Sequence, residues 1–250
     1  MTLSNLFTAK AEQLKPTNTT LQTMYDLPSE DPEEPGLPDE FHDLQPQLLS
    51  ATLRLTDVKK NRIFTGTDLN LYYDLEHTWY KRPDWFVVLD VPRLYDERDM
   101  RMSYVMWDEG VSPSVIVELL SEGTDKEDLG LTKAQPGKAP TKWEVYEQIL
   151  KVPNYVVYDR HKDILRAYRL TDGRYQAIEI EGGQFWIPEL KAGLGLWQGD
   201  YQGITRKWLR WLDSDGSWIP TPEENLEKSE EKAARLAQRL REMGIDPDEV

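Results

Sequence analysis

Two short runs dominate the pattern of apolar and polar positions. Trp85-Phe86-Val87-Val88-Leu89 and Val115-Ile116-Val117-Glu118-Leu119-Leu120 are mostly aromatic or β-branched, with Pro83 and Ser114 just before them. Such runs predict buried strands. Each carries a carboxylate where the pattern expects an apolar side chain. Asp84 opens the first strand and Glu118 stands near the end of the second. A buried ionised carboxylate is costly unless something positive pairs with it. Two acids on neighbouring strand ends can hold a divalent metal, because hard cations take oxygen ligands. The alternative is one acid capping a turn and the other paired with a buried Arg.

The flanking pattern supplies the other elements. Leu44 to Leu55 has helical periodicity, with Pro46 expected in its first turn. Ile63 to Tyr73 is strand material, with Gly66 as a turn or bulge. Arg101 to Val105 predicts a short strand or helix, and Asp108-Glu109-Gly110 a turn. Residues 121–140 are a long loop. Thr141 to Lys151 predicts a helix with one apolar face, and Thr141 with Glu144 forms a capping box. Asn154 to Tyr158, Ile164 to Leu170 and Arg174 to Ile180 are strands, the last two joined by the hairpin signal Asp172-Gly173. The Trp- and Gly-rich stretch 182–220 closes the domain, with a helix expected over Ile204 to Leu212 and Trp208 and Trp211 on its apolar side. Thr221-Pro222-Glu223-Glu224 starts a final helix, and Gly244 ends it. Leu226, Ala233, Leu236, Leu240 and Met243 form its stripe, which is expected to pack on the domain, to pair weakly in a homodimer, or to stay solvated. Strands around one well-marked helix predict an α/β or α+β fold.

Composition narrows this picture. Aromatic residues make up 10% of the 250, nine of them Trp, so the chain can build a sizeable core. It has no Cys, which excludes disulfides and thiolate metal sites. No apolar run approaches the roughly 20 residues of a membrane helix. The N-terminus lacks a basic segment followed by an apolar one, so a cytoplasmic location without membrane contact is the expectation. The formal net charge is −15, and more than half of the excess lies in residues 1–43 and 222–250. The middle has no basic stripe, so charge offers no support of its own for a nucleic-acid partner. Residues 1–40 are rich in Pro, Thr and acid and read as an extended arm.

Lys142 is the third candidate. It opens its helix, where the macrodipole disfavours a cation. It also lies four residues before Tyr146, on the core side. A Lys so placed needs a carboxylate partner, and Asp84 and Glu118 are available; otherwise it snorkels to solvent. His42, His77 and His161 lack ligand-like spacing and read as packing or surface residues. Glu122 and Asp128 read as solvated loop acids or as groups behind the site. Gly193-Leu194-Gly195 does not extend to a dinucleotide fingerprint. Trp197, Trp208, Trp211 and Trp218 read as core rather than base-stacking platforms.

Pro83-Asp84, the strand ending Val117-Glu118-Leu119-Leu120-Ser121-Glu122, Lys142-x-x-x-Tyr146 and Val152-Pro153-Asn154-Tyr155 together resemble the Uma2-type endonucleases of the PD-(D/E)XK nuclease superfamily. The resemblance spans roughly residues 40–215. It implies a restriction-endonuclease-like mixed sheet flanked by helices, with an arm at 1–40, the nuclease-like domain at 41–220 and a C-terminal helix at 221–250. It implies metal-dependent hydrolysis of DNA phosphodiester bonds in which Asp84, Glu118 and the Leu119 carbonyl hold Mg²⁺ or Mn²⁺. Lys142 is then the catalytic cation. Two departures stand out. Leu120 occupies the usual Lys position, so the Lys comes from the next helix. Segment 129–140 is longer than the family's usual link, which could displace Lys142 and leave Lys126, Lys133 or Lys138 as substitutes. The other reading is a nuclease fold without cleavage that serves in binding or assembly.

Overall fold

The computed structural model describes residues 21–23, 25–26, 39–121 and 125–247. Most of the expected acidic arm, and Glu122, lie outside the described residues. The chain forms α1 (Glu40–Thr52), β1 (Ile63–Thr67), β2 (Leu71–Asp74), β3 (Trp79–Lys81), β4 (Trp85–Leu89), β5 (Tyr104–Val105) and the short α2 (Met106–Glu109). Next come β6 (Val115–Leu119), the single turn α3 (Asp125–Asp128), and α4 (Lys142–Glu144), which continues as a π turn over Val145–Ile149. The rest is β7 (Asn154–Asp159), β8 (Ile164–Thr171), β9 (Arg174–Ala177), β10 (Gln184–Ile187), β11 (Ala192–Tyr201), β12 (Ile204–Leu212) and α5 (Pro222–Glu242).

The main sheet has six strands in the order β1-β4-β6-β7-β8-β9, and only β6 and β7 run parallel. Its central strands are mostly apolar because both faces are covered, with Glu118 of β6 an exception. On one face Trp85, Val87, Val115, Val117 and Val156 meet Leu48 and Leu49 of α1, and Trp208 and Trp211 of β12. On the other face Phe86, Ile116, Tyr155 and Val157 meet Val145, Tyr146 and Leu150. The antiparallel β10-β11-β12 sheet belongs to the first layer, and a small β3-β2-β5 sheet completes the fold. Leu21 packs beside this small sheet, and the Trp107 indole donates to the Gln22 carbonyl at 3.0 Å. Segment 21–23 therefore lies against the domain.

Four sequence expectations change. Ile204–Leu212 is a strand, not a helix. Trp208 to Leu212 are buried without a break, so the three-residue Trp spacing carried no helical meaning. The tight turn Gln202-Gly203, with φ of 53° and 77°, joins this strand to β11. Pro46 lies inside α1 rather than in its first turn, because the Asp39 carboxylate caps the helix earlier by accepting from the Phe41 and His42 amides. Gly66 is neither turn nor bulge; it pairs in register with Phe86, whose ring occupies the space a Cβ would need. The helix expected over Thr141–Lys151 keeps its capping box but leaves α geometry after one turn. The Asp172-Gly173 hairpin turn is as expected, with φ of 51° and 76°.

Candidate active site

Strand geometry brings the two acids together. Side chains alternate between faces along a strand, so Asp84 shares a face with Phe86, and Glu118 shares one with Ile116. Phe86 pairs with Ile116 and Trp85 with Val117. Continuing that register by one residue sets Asp84 opposite Glu118. The Asp84 Oδ2 accepts from the Leu119 amide at 2.6 Å.

The helix beyond the loop supplies the donors. The Thr141–Glu144 capping box fixes where α4 begins. Lys142 and Tyr146, four residues apart on one face, both reach Glu118. Lys142 Nζ donates to Oε2 at 2.9 Å and the Tyr146 hydroxyl to Oε1 at 2.7 Å. Lys142 Nζ also lies 3.2 Å from Asp128 Oδ1. Segment 129–140 leaves Lys142 at the acids, and Lys126, Lys133 and Lys138 are exposed. Glu127 relieves the misplaced cation at the helix start. Its Oε1 accepts from the Lys142 amide at 2.7 Å and from Lys81 Nζ at 2.8 Å.

The charges are out of balance. Glu118 is fully buried and Asp128 nearly so, and the cation in contact with both is Lys142. Burial pushes the Asp84 carboxyl up to about 6, against the pull of Lys142. Burial pushes Glu118 up to about 7, with Lys142 opposing and Asp84 adding to the rise. For Lys142 burial disfavours the cation, but Glu118, Asp128 and Asp84 outweigh it and hold its pKa above the ordinary lysine value. The ammonium stays charged at neutral pH and is a fixed positive group rather than a proton acceptor.

A hard divalent cation fits this donor set. Two buried carboxylates, Glu118 and Asp128, contact the one ammonium, with Asp84 set opposite Glu118, and carboxylate oxygens are the donors such an ion takes. Among the described residues no three His, Asp or Glu side chains form a metal-holding group. The candidate donors are therefore Asp84, Glu118 and a backbone carbonyl. Mg²⁺ commonly takes one or two carboxylates and keeps several waters. The Leu119 carbonyl accepts from His42 Nε2 at 3.0 Å, while Nδ1 of the same ring lies 3.0 Å from Asp39 Oδ1.

Several of these contacts exceed the sequence reading. Asp128 is buried and bound to Lys142, not a solvated loop acid. His42 is a buried contact of the Leu119 carbonyl. Its signal was the Asp39-x-x-His42 spacing at a helix cap. Tyr146 was legible only as apolar, yet any helix that aims Lys142 at Glu118 aims Tyr146 there too. Trp208 and Trp211 are core, as expected.

The family model described as "Uma2: Putative restriction endonuclease" matches residues 12–202. No curated protein matches. Among solved structures, one from Anabaena variabilis, described as "a putative nuclease belonging to DUF820", is similar at 10% identity, over 62% of this chain and 75% of that one, with a TM-score of 0.41. Among the described residues no helix is long and apolar enough to cross a membrane. The family match covers well over half of the chain, and its restriction-endonuclease-like fold class goes with the mixed sheet described above: this protein belongs to the Uma2 family.

Proposed function

We propose that the protein is a metal-dependent endonuclease that hydrolyses DNA phosphodiester bonds, with its chemistry in residues 41–220. One observation carries the reading: the β4–β6 register sets Asp84 opposite Glu118, and Lys142 reaches Glu118 at 2.9 Å. Asp84, Glu118 and the Leu119 carbonyl would hold Mg²⁺ or Mn²⁺. Such an ion would supply a bound water of lowered pKa and offset charge on the phosphate oxygens. Lys142 adds a second, fixed positive charge where the phosphorane oxygens become more negative. Tyr146 and Asp128 hold Glu118 and Lys142 in place. Lys81 pairs with Glu127, which also accepts from the Lys142 amide.

Nicking of supercoiled plasmid in Mg²⁺ and Mn²⁺ tests this. Wild type nicks; Asp84→Asn, Glu118→Gln and Lys142→Met each lose on the order of 100-fold or more while retaining the far-UV spectrum. Variants that nick like wild type would end the proposal. A second reading has an observation of its own. Both Glu118 oxygens and the Leu119 carbonyl already have protein partners. A binding module without cleavage would keep such a closed site, bind neither ion and nick no DNA form.

A further inference from the structure

Helix α5 carries a stripe that none of the described residues buries. None of its residues is buried, and Leu226, Leu236 and Met243 are 60%, 54% and 67% exposed. The stripe runs Leu226, Ser229, Ala233, Leu236, Leu240, Met243, at alternating spacings of three and four. That is the seam of a two-helix pair.

We propose that α5 is a self-association element that pairs antiparallel with α5 of a second copy. Side-chain size argues for this direction. An antiparallel alignment centred on the stripe sets Leu226 against Met243, Ser229 against Leu240 and Ala233 against Leu236. The inner layers then join one small and one large side chain. A parallel alignment sets Ser229 on Ser229 and Ala233 on Ala233, leaving gaps that cost packing contacts. Charge argues the same way. Residues 222–231 hold five acids and one base, and residues 232–242 hold four bases and one acid. Antiparallel pairing lays the acidic half on the basic half; parallel pairing lays like on like. On one flank Lys232 approaches Arg239 of the other copy, so the pair is weak. The inference stands apart from the nuclease reading, since α5 contributes no residue to that site.

The chain has no Cys, so introduced thiols are unique. Leu226→Cys and Met243→Cys are prepared as separate full-length proteins and oxidised mildly, alone and mixed. Their positions are exposed, so folding is unaffected. Antiparallel pairing crosslinks the mixture and spares each protein alone. Two Leu226 positions would stand about 25 Å apart, beyond the roughly 7 Å Cα limit of a disulfide. Sedimentation of the wild type shows concentration-dependent dimer, and Leu236→Lys abolishes it. The proposal is overturned by crosslinking of either variant alone, by no crosslinking in the mixture, by a wild-type monomer at every concentration, or by a dimer that Leu236→Lys leaves intact.

Discussion

Burial raises the Glu118 carboxyl, Lys142 and Tyr146 pull it the other way, and the balance is pH-dependent. The folded pKa values of Asp84 and Glu118 lie above the ordinary carboxylate range. The folded site therefore keeps protons that the unfolded chain releases near pH 4. Its contribution to stability is full below pH 4 and is lost as pH rises through 6 and 7. Each group accounts for on the order of 3 kcal/mol across that window. Denaturation of wild type and Glu118→Gln in parallel, without divalent ions, isolates the effect: their stability difference shifts in the variant's favour from pH 5 to pH 8. A curve that stays parallel sinks the assignment. On the proposed reading Mg²⁺ would compete with the same protons, so its affinity would rise with pH through 6 to 7 and its binding would release protons, which calorimetry in buffers of different ionisation enthalpy measures. Asp84, Glu118 and Lys142 were legible because each breaks a periodic pattern: an acid in an apolar strand, a cation at the wrong end of a helix. Asp128 breaks none. Loop positions have no period to violate, and its burial arises only when α3 folds onto Lys142.

At the level of elements, the site depends on the register of β4 against its neighbours. Gly66 leaves the Phe86 ring the space that a Cβ would fill on β1. Gly66→Ala is expected to cost about 1–3 kcal/mol in urea unfolding, although Ala has the better strand propensity. The helix that carries Lys142 is short, and its first turn depends on the capping box. Thr141→Ala is expected to cost about 1 kcal/mol and to lower metal affinity together with stability. Unchanged affinity would mean that Lys142 is placed without its cap. These elements differ in how far the chain alone revealed them. Capping boxes and the Asp-Gly hairpin are local chemistry, so α4, α5 and the β8–β9 turn were readable. β12 was not, because a strand buried on both faces loses its two-residue alternation. The π turn was equally hidden: nothing in Val145 to Ile149 distinguishes it from α.

For the molecule as a whole, α5 is an attachment rather than a pillar of the fold. Its first turn is bound to the domain by buried Arg210, which pairs with Glu224 and donates to the Ile219 carbonyl at 3.0 Å. Beyond that turn nothing is buried. A chain ending at Glu227 is expected to melt like the full chain in dilute solution. One ending at Pro220 should melt lower, and Glu224→Ala should reproduce that loss at about 1–3 kcal/mol. Equal melting of both truncations would remove the role given to Arg210. The stripe was readable in the sequence; that it stays exposed among the described residues was not, because that depends on how the folded domain meets the helix. The Arg210–Glu224 clasp has a mechanical consequence. A helix clamped at one end and free along the rest is a spar about 32 Å long. Its bearing is set by the domain and not by a swivelling linker. A fluorophore at Met243 should then tumble at nearly the rate of the whole particle, and breaking the clasp with Glu224→Ala should release it into fast local wobble that anisotropy decay resolves.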